Sequence, residues 1–222
     1  MTPLTGQIVN LFRTSVVEAF MPSMSRLEAR GDAKSMMEMN ASANAMVGML
    51  LLPMLGFVFA FAEDLVSLVY TSAYIDAAGV MRVYLIGMTA LVVELSSVLQ
   101  LLRQGIFSLV MNMIVLACAV PLSYFGGLEL GLSGAAAGSV TALYLDRTIV
   151  LHRIRAITGV PIASQQHWQE LGRHFAWSAA SAAIAWVVVH FFFAGAHHIV
   201  RIAAGAAVLG VVYGVANLRG KL

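Results

Sequence analysis

Three ionisable side chains fall inside long apolar stretches of this sequence: Arg13, Glu18 and Glu94. A charge in hydrocarbon costs roughly 3 kcal/mol or more, so at membrane depth it needs a partner, a cavity or a transport task. Glu94 lies 11 residues into an apolar run that starts at Val83. A carboxyl there can take up and release a proton in a coupled transporter. Alternatively it hydrogen-bonds a Ser or Asn of a neighbouring helix, for example Asn112. Gln7, Asn10, Thr14 and Glu18 are spaced 3, 4 and 4 apart. On a helix that spacing makes one polar stripe, with Arg13 at its side and Ile8, Leu11, Phe12, Val16 and Ala19 opposite. Such a helix either lines a polar cavity or lies in the membrane interface. Gln7, Asn10, Arg13, Thr14, Glu18 and Glu94 are therefore the candidate cavity residues.

Other chemistry has less support. All six histidines follow residue 150, and His197 and His198 are adjacent, so they point to different helix faces. No HExxH motif and no carboxylate cluster accompanies them, so neither a metal nor a cofactor is expected. The single cysteine, Cys118, excludes an intrachain disulfide. Gly131-Leu132-Ser133-Gly134 reads GxSG and resembles the nucleophile motif of rhomboid intramembrane proteases. A serine needs a base within hydrogen-bond reach, and His190 or His197 would have to supply it. That family's upstream His/Asn helix has no counterpart, because no histidine precedes His152. Asp146 and Arg147 read as an anchor pair near one end of a span.

These residues must be carried by membrane helices. Hydrophobic residues make up 60% of the 222, charged residues 11%, and the net charge is +2. The mean hydropathy is +0.85. Soluble chains carry roughly 25% charged residues, so disorder, nucleic-acid binding and an ordinary cytosolic enzyme are excluded. About 20 apolar residues cross a bilayer as a helix. Residues 40–62, 83–102, 104–128, 130–151, 175–196 and 202–218 qualify, and 4–27 is a seventh candidate. The expectation is an all-α polytopic helix bundle of about seven spans in one membrane domain, 1–222. Residues 26–40 and 153–173 are expected as cytoplasmic loops.

Charge sets the orientation. Of the 13 Lys and Arg, Arg26, Arg30, Lys34, Arg103, Arg147, Arg153, Arg155, Arg173, Arg219 and Lys221 fall on one side if the spans alternate. Arg82 and Arg201 fall on the other. The positive-inside rule makes the first side, and the C-terminus, cytoplasmic. A spanning first helix then starts outside without a signal peptide, which suggests upstream helices. Gly134/Gly138 and Gly210/Gly214 read as GxxxG helix-packing pairs. Met36, Met37 and Met39 read as a lipid-facing turn, and 165–174 as a cytoplasmic surface segment.

A longer pattern bears on function. Phe20-Met21-Pro22-Ser23-Met24-Ser25-Arg26-Leu27 followed by Gly31-Asp32 resembles the P-x-x-S-R-L…G-D segment of bacterial polysaccharide and oligosaccharide flippases. These belong to the multidrug/oligosaccharidyl-lipid/polysaccharide exporter superfamily. Residues 62–78 (Ala62-Glu63-Asp64-Leu65-Val66-Ser67-Leu68-Val69-Tyr70 through Tyr74 to Ala77-Ala78) resemble its external stretch, with Thr71 where many members have Gly. Gly131 to Gly138 fits the family's G-x-x-GAA helix start, which accounts for GxSG without catalysis. The resemblance implies the second half of a two-halved carrier, a spanning first helix and no catalytic residues. It also implies a transport role: polyprenyl-diphosphate-linked oligosaccharide moved across the bacterial inner membrane, with Arg13 as the cationic candidate for the diphosphate. The implied partners are the lipid-linked oligosaccharide, membrane lipids, the other half and polysaccharide assembly proteins, and no nucleic acid. A rhomboid-like protease and a non-catalytic membrane scaffold are the alternative readings.

Overall fold

A computed structural model describes the backbone of residues 3–70, 72–193 and 195–219, and the side chains of 15, 16, 18–70, 73–193 and 195–218. Every element among these residues is helical. Helices α1 (Pro3–Ala29) and α2 (Ala33–Ala60) form an antiparallel pair. The turn between them needs Gly31, whose φ of 72° is a left-handed conformation that a Cβ disfavours. The Gly31 N–H donates to the Glu28 carbonyl (2.8 Å) and the Asp32 N–H to that of Leu27 (3.0 Å), closing α1. Asp32 then opens α2 by accepting from the Ser35 N–H at 3.0 Å. Hydrogen bonds from Ser35, helped by the Lys34 charge, hold its carboxyl below the ordinary value of 3.8.

The chain continues through short α3 (Ala62–Tyr70), α4 (Ala77–Thr89), α5 (Ser96–Leu101), long α6 (Gly105–Thr158), one-turn α7 (Ile162–Gln165), α8 (Trp168–Phe192) and α9 (His198–Arg219). Four of these, α2, α6, α8 and α9, are long and apolar enough to cross a membrane. Helix α6 is two legs, because Gly131 (φ 63°, ψ −148°) turns the chain back between 105–130 and 132–158. The legs approach to backbone contact. A Cβ on Gly134 would overlap the Gly126 carbonyl, and one on Gly138 would overlap the Leu122 backbone. Ser123 and Ser139 meet across the same seam at 2.9 Å. The Gly134/Gly138 pair thus packs within its own hairpin. With α1, α2, the interrupted α4–α5, α8 and α9, the two legs make seven passes between two ends among the described residues.

One end collects the connections at 30–32, 102–104 and 159–167, with Arg26, Arg30, Arg103, Arg153, Arg155 and Arg173 in or beside them; the other holds α3, the α6 turn and the start of α9. Three sequence expectations change. The segments 26–40 and 153–173 are mostly helix ends, joined by tight turns. Met36 and Met37 are fully buried rather than lipid-facing, because α1, α5 and the second leg of α6 close over that face of α2 with Met24, Leu95, Val98 and Ile154. Unbranched Met fills such an irregular gap well. The 165–174 segment is only partly surface. Gln165 is fully buried, and its Nε2 donates to the carbonyls of Leu151 (3.2 Å) and Val160 (3.0 Å) where the chain turns back after Gly159.

Gly134→Ala is expected to destabilise the hairpin by about 1–3 kcal/mol through overpacking. Gly127→Ala is expected to leave it unchanged, since its Cβ would meet Ala135 at an ordinary 3.5 Å. Thermal unfolding of the two variants in detergent checks this; equal midpoints would refute the tight seam. The charge-assisted Asp32 cap is fully present above pH 3.8 and weakens as pH falls through the lowered folded value, because protonation removes the carboxylate charge. Protection of the Ser35 amide, measured against its intrinsic exchange rate, should fall over that range in the native chain, with no such pH step in Asp32→Asn.

Candidate functional site

The fourth and fifth helices are two pieces of what hydropathy reads as one span, 83–102. After Thr89 the chain tightens into a 3-10 turn, Ala90–Val92, and then leaves helical geometry at Val93 (φ −84°, ψ 84°). Glu94 therefore sits in a break and not in mid-helix, which corrects the sequence expectation. A break inside an apolar bundle releases backbone groups that have no water to bond, and it persists only where protein satisfies them. Here α2 does so. Asn40 and Asn44 are one turn apart, so they share a face. The Asn40 amide donates to the Glu94 carbonyl at 3.0 Å, and the Asn44 amide to the same carbonyl at 3.1 Å. Asn44 Oδ1 accepts from the Glu94 N–H at 3.3 Å. The Glu94 carboxylate accepts from the Ser96 N–H at 2.6 Å and so starts α5. The second N–H of Asn44 donates to Gln166 Oε1 at 2.9 Å, tying in the link to α8. Asn40, Asn44, Glu94 and Gln166 are all buried.

The sequence reading expected a partner for Glu94 such as Asn112, but Asn112 is exposed on α6. Asn40 and Asn44 escaped notice as a pair. Their signal was two amides at i and i+4 in an otherwise charge-free run. Of the other cavity candidates, Gln7, Asn10, Arg13 and Thr14 are on α1, but their side chains lie outside the described residues. Glu18 is described and exposed.

The opposite end is held by ion pairs. Buried Asp64 on α3 meets His198 Nδ1 at 2.7 Å and Arg201 at 2.9 Å on α9. Arg82 on α4 meets Glu63 at 2.9 Å. Asp146 and Arg147 do pair, at 3.6 Å. The structure does not bring Ser133 to a histidine. His190 stacks on Trp186, with centroids 5.0 Å apart, and His197 Nδ1 takes the Ile199 N–H. Among the described residues Ser133 hydrogen-bonds no histidine, and none form a metal-binding group of three or more His, Cys, Asp or Glu.

A bundle of apolar passes containing a protein-satisfied helix break is the architecture of a membrane protein. Residues 3–79 match the model of a family described as polysaccharide biosynthesis protein. The match takes in α1, α2, α3 and the start of α4, and it bears out the resemblance over that stretch. It supports a role in polysaccharide biosynthesis or export. No curated protein and no solved structure matches the chain.

Asn44→Ala is expected to cost about 1–3 kcal/mol, because it removes the donor to the buried Gln166 Oε1 and one of the two donors to the Glu94 carbonyl. Asn40→Ala should cost less, since Asn44 still serves the shared carbonyl. The double variant should depart from additivity for the same reason. Thermal unfolding of purified variants tests this with Asn112→Ala as the neutral control; equal effects at 44 and 112 would contradict the assignment.

Proposed function

We propose that this chain is the membrane-embedded lobe of a carrier for polyprenyl-diphosphate-linked oligosaccharide, moving it from the cytoplasmic to the outer leaflet of a bacterial inner membrane. The observation that carries this reading is the family match over 3–79, which contains the whole α1–α2 pair. The polar stripe of Gln7, Asn10, Thr14 and Glu18, with Arg13 beside it, lies on the first of these helices. It would form this lobe's side of a central cavity, with Arg13 facing the diphosphate. The broken helix α4–α5 supports alternating access, since discontinuous helices let one part of a bundle tilt against another near a binding site. The arginine-rich end is cytoplasmic in this reading, as the positive-inside rule requires, and so is the C-terminus. The partners are the lipid-linked oligosaccharide, a second lobe and the polysaccharide assembly proteins that use the product. No step of this scheme is catalytic.

The test is export of surface polysaccharide in a strain whose own flippase is deleted and which supplies the second lobe. Restored export that falls tenfold or more in Arg13→Ala, with Ser133→Ala unchanged, is the expected result. No restoration at normal membrane levels of the chain would overturn the reading. Loss of activity in Ser133→Ala would point instead to proteolysis.

A further inference from the structure

A groove runs along the bundle between α4 and α8, with α2 as its floor and a volume of about 840 Å³. Sites that hold small ligands span roughly 300–1,000 Å³. Its interior is apolar in effect, because its hydroxyls are already committed. Ser178 donates to the Leu52 carbonyl at 2.6 Å, and Thr89 donates to that of Ile86 at 2.7 Å. Charge occurs at one end only, as Arg82 and Glu63. Arg82 Nε donates to the Phe59 carbonyl (3.2 Å) and Nη1 to the Glu63 carboxylate (2.9 Å). Its Nη2 has no hydrogen bond among the described residues. The Glu63 side chain remains 57% exposed.

Depth and charge select an occupant. On α8 the lining runs from Phe175 to Val187, which is about 18 Å at 1.5 Å per residue. That is the reach of a phospholipid acyl chain; a polyprenyl chain is much longer. At the open end, a free guanidinium donor beside an exposed carboxylate complements a headgroup that carries both a phosphate and an ammonium. We propose that this groove seats one acyl chain of an aminophospholipid of the ethanolamine type, with its phosphate on Arg82 and its ammonium on Glu63. The proposal does not depend on the transport reading.

Trp186 lines the groove and reports on it. With Trp168→Phe and Trp177→Phe, Trp186 is the sole indole. The full chain would be placed in nanodiscs of phosphatidylglycerol containing a minor fraction of brominated-chain phosphatidylethanolamine, or of brominated-chain phosphatidylglycerol in its place. Several-fold stronger quenching by the brominated ethanolamine lipid is expected. Ala179→Leu with Ala183→Leu, both exposed positions on the groove wall, should return quenching to the level of random mixing. Arg82→Gln should reduce the headgroup preference several-fold, and it carries the test if the leucine pair fails to fold. Equal quenching by the two headgroups would overturn the proposal. So would unchanged quenching in the leucine pair, or displacement by polyprenyl phosphate but not by added phosphatidylethanolamine.

Discussion

Within hydrocarbon, a carbonyl released from a helix has no water to turn to, and the break at 93–95 stands because two asparagines of α2 reach it. Much of the basic end follows from that contact. The break lets α5 start afresh under the Glu94 carboxylate, and α5 brings Val98 and Leu99 into the cluster with Met24, Met36, Met37 and Ile154. Asn44 uses its second N–H to hold Gln166, which fixes the start of α8. Gln165, one residue earlier, ties the same link to the end of α6. A single turn of α2 therefore joins the interrupted fourth and fifth helices to the loop before α8.

The two ends are held by different chemistry. At the arginine-rich end the internal ties include the Asn40, Asn44, Gln165 and Gln166 amides, the Glu94 carboxylate on the Ser96 N–H and apolar packing, while Arg153 lies over Phe107 and donates to Gln104 at the surface. At the other end the ties run through carboxylates: Asp64 with His198 and Arg201, and Glu63 with Arg82. Exposed pairs of this kind contribute little each, but Asp64 is buried and holds two partners at once. Removing Arg201 would leave the buried carboxylate with the His198 contact alone, so α3 and α9 are bound more firmly than their short contact suggests.

The helical passes were legible because roughly 20 apolar residues between charged connections have few alternatives. The division of the Lys and Arg into a rich and a poor end was legible for the same reason. The break was not, because Val92-Val93-Glu94-Leu95 is nearly as apolar as the residues around it and hydropathy averages over it. Burial of Met36 and Met37 was hidden in a similar way: α2 is apolar on all sides, so periodicity does not say which side faces protein. Gln165 and Gln166 looked like surface residues because amides usually are. Their backbone and amide partners come from elements far away in sequence, and no local pattern announces them. The polar stripe of α1, read from spacing alone, still rests on sequence for Gln7, Asn10, Arg13 and Thr14.

The groove between α4 and α8 has a cause in the same packing. Helix α4 is committed to the α6 hairpin: a Cβ on Gly87 would run into Val140, and Thr89 and Tyr144 meet at 2.7 Å. Helix α8 is committed to α2 and α9, through Ser178 on Leu52 and through Ala182, Ala185 and Val189 packed with Phe61 and Leu209. Toward α4 it turns Ala179 and Ala183, too small to bridge the gap. Near the break, Val92 of the turn after α4 and Leu171 of α8 share one cluster, and the Arg82–Glu63 pair marks the far end of the groove.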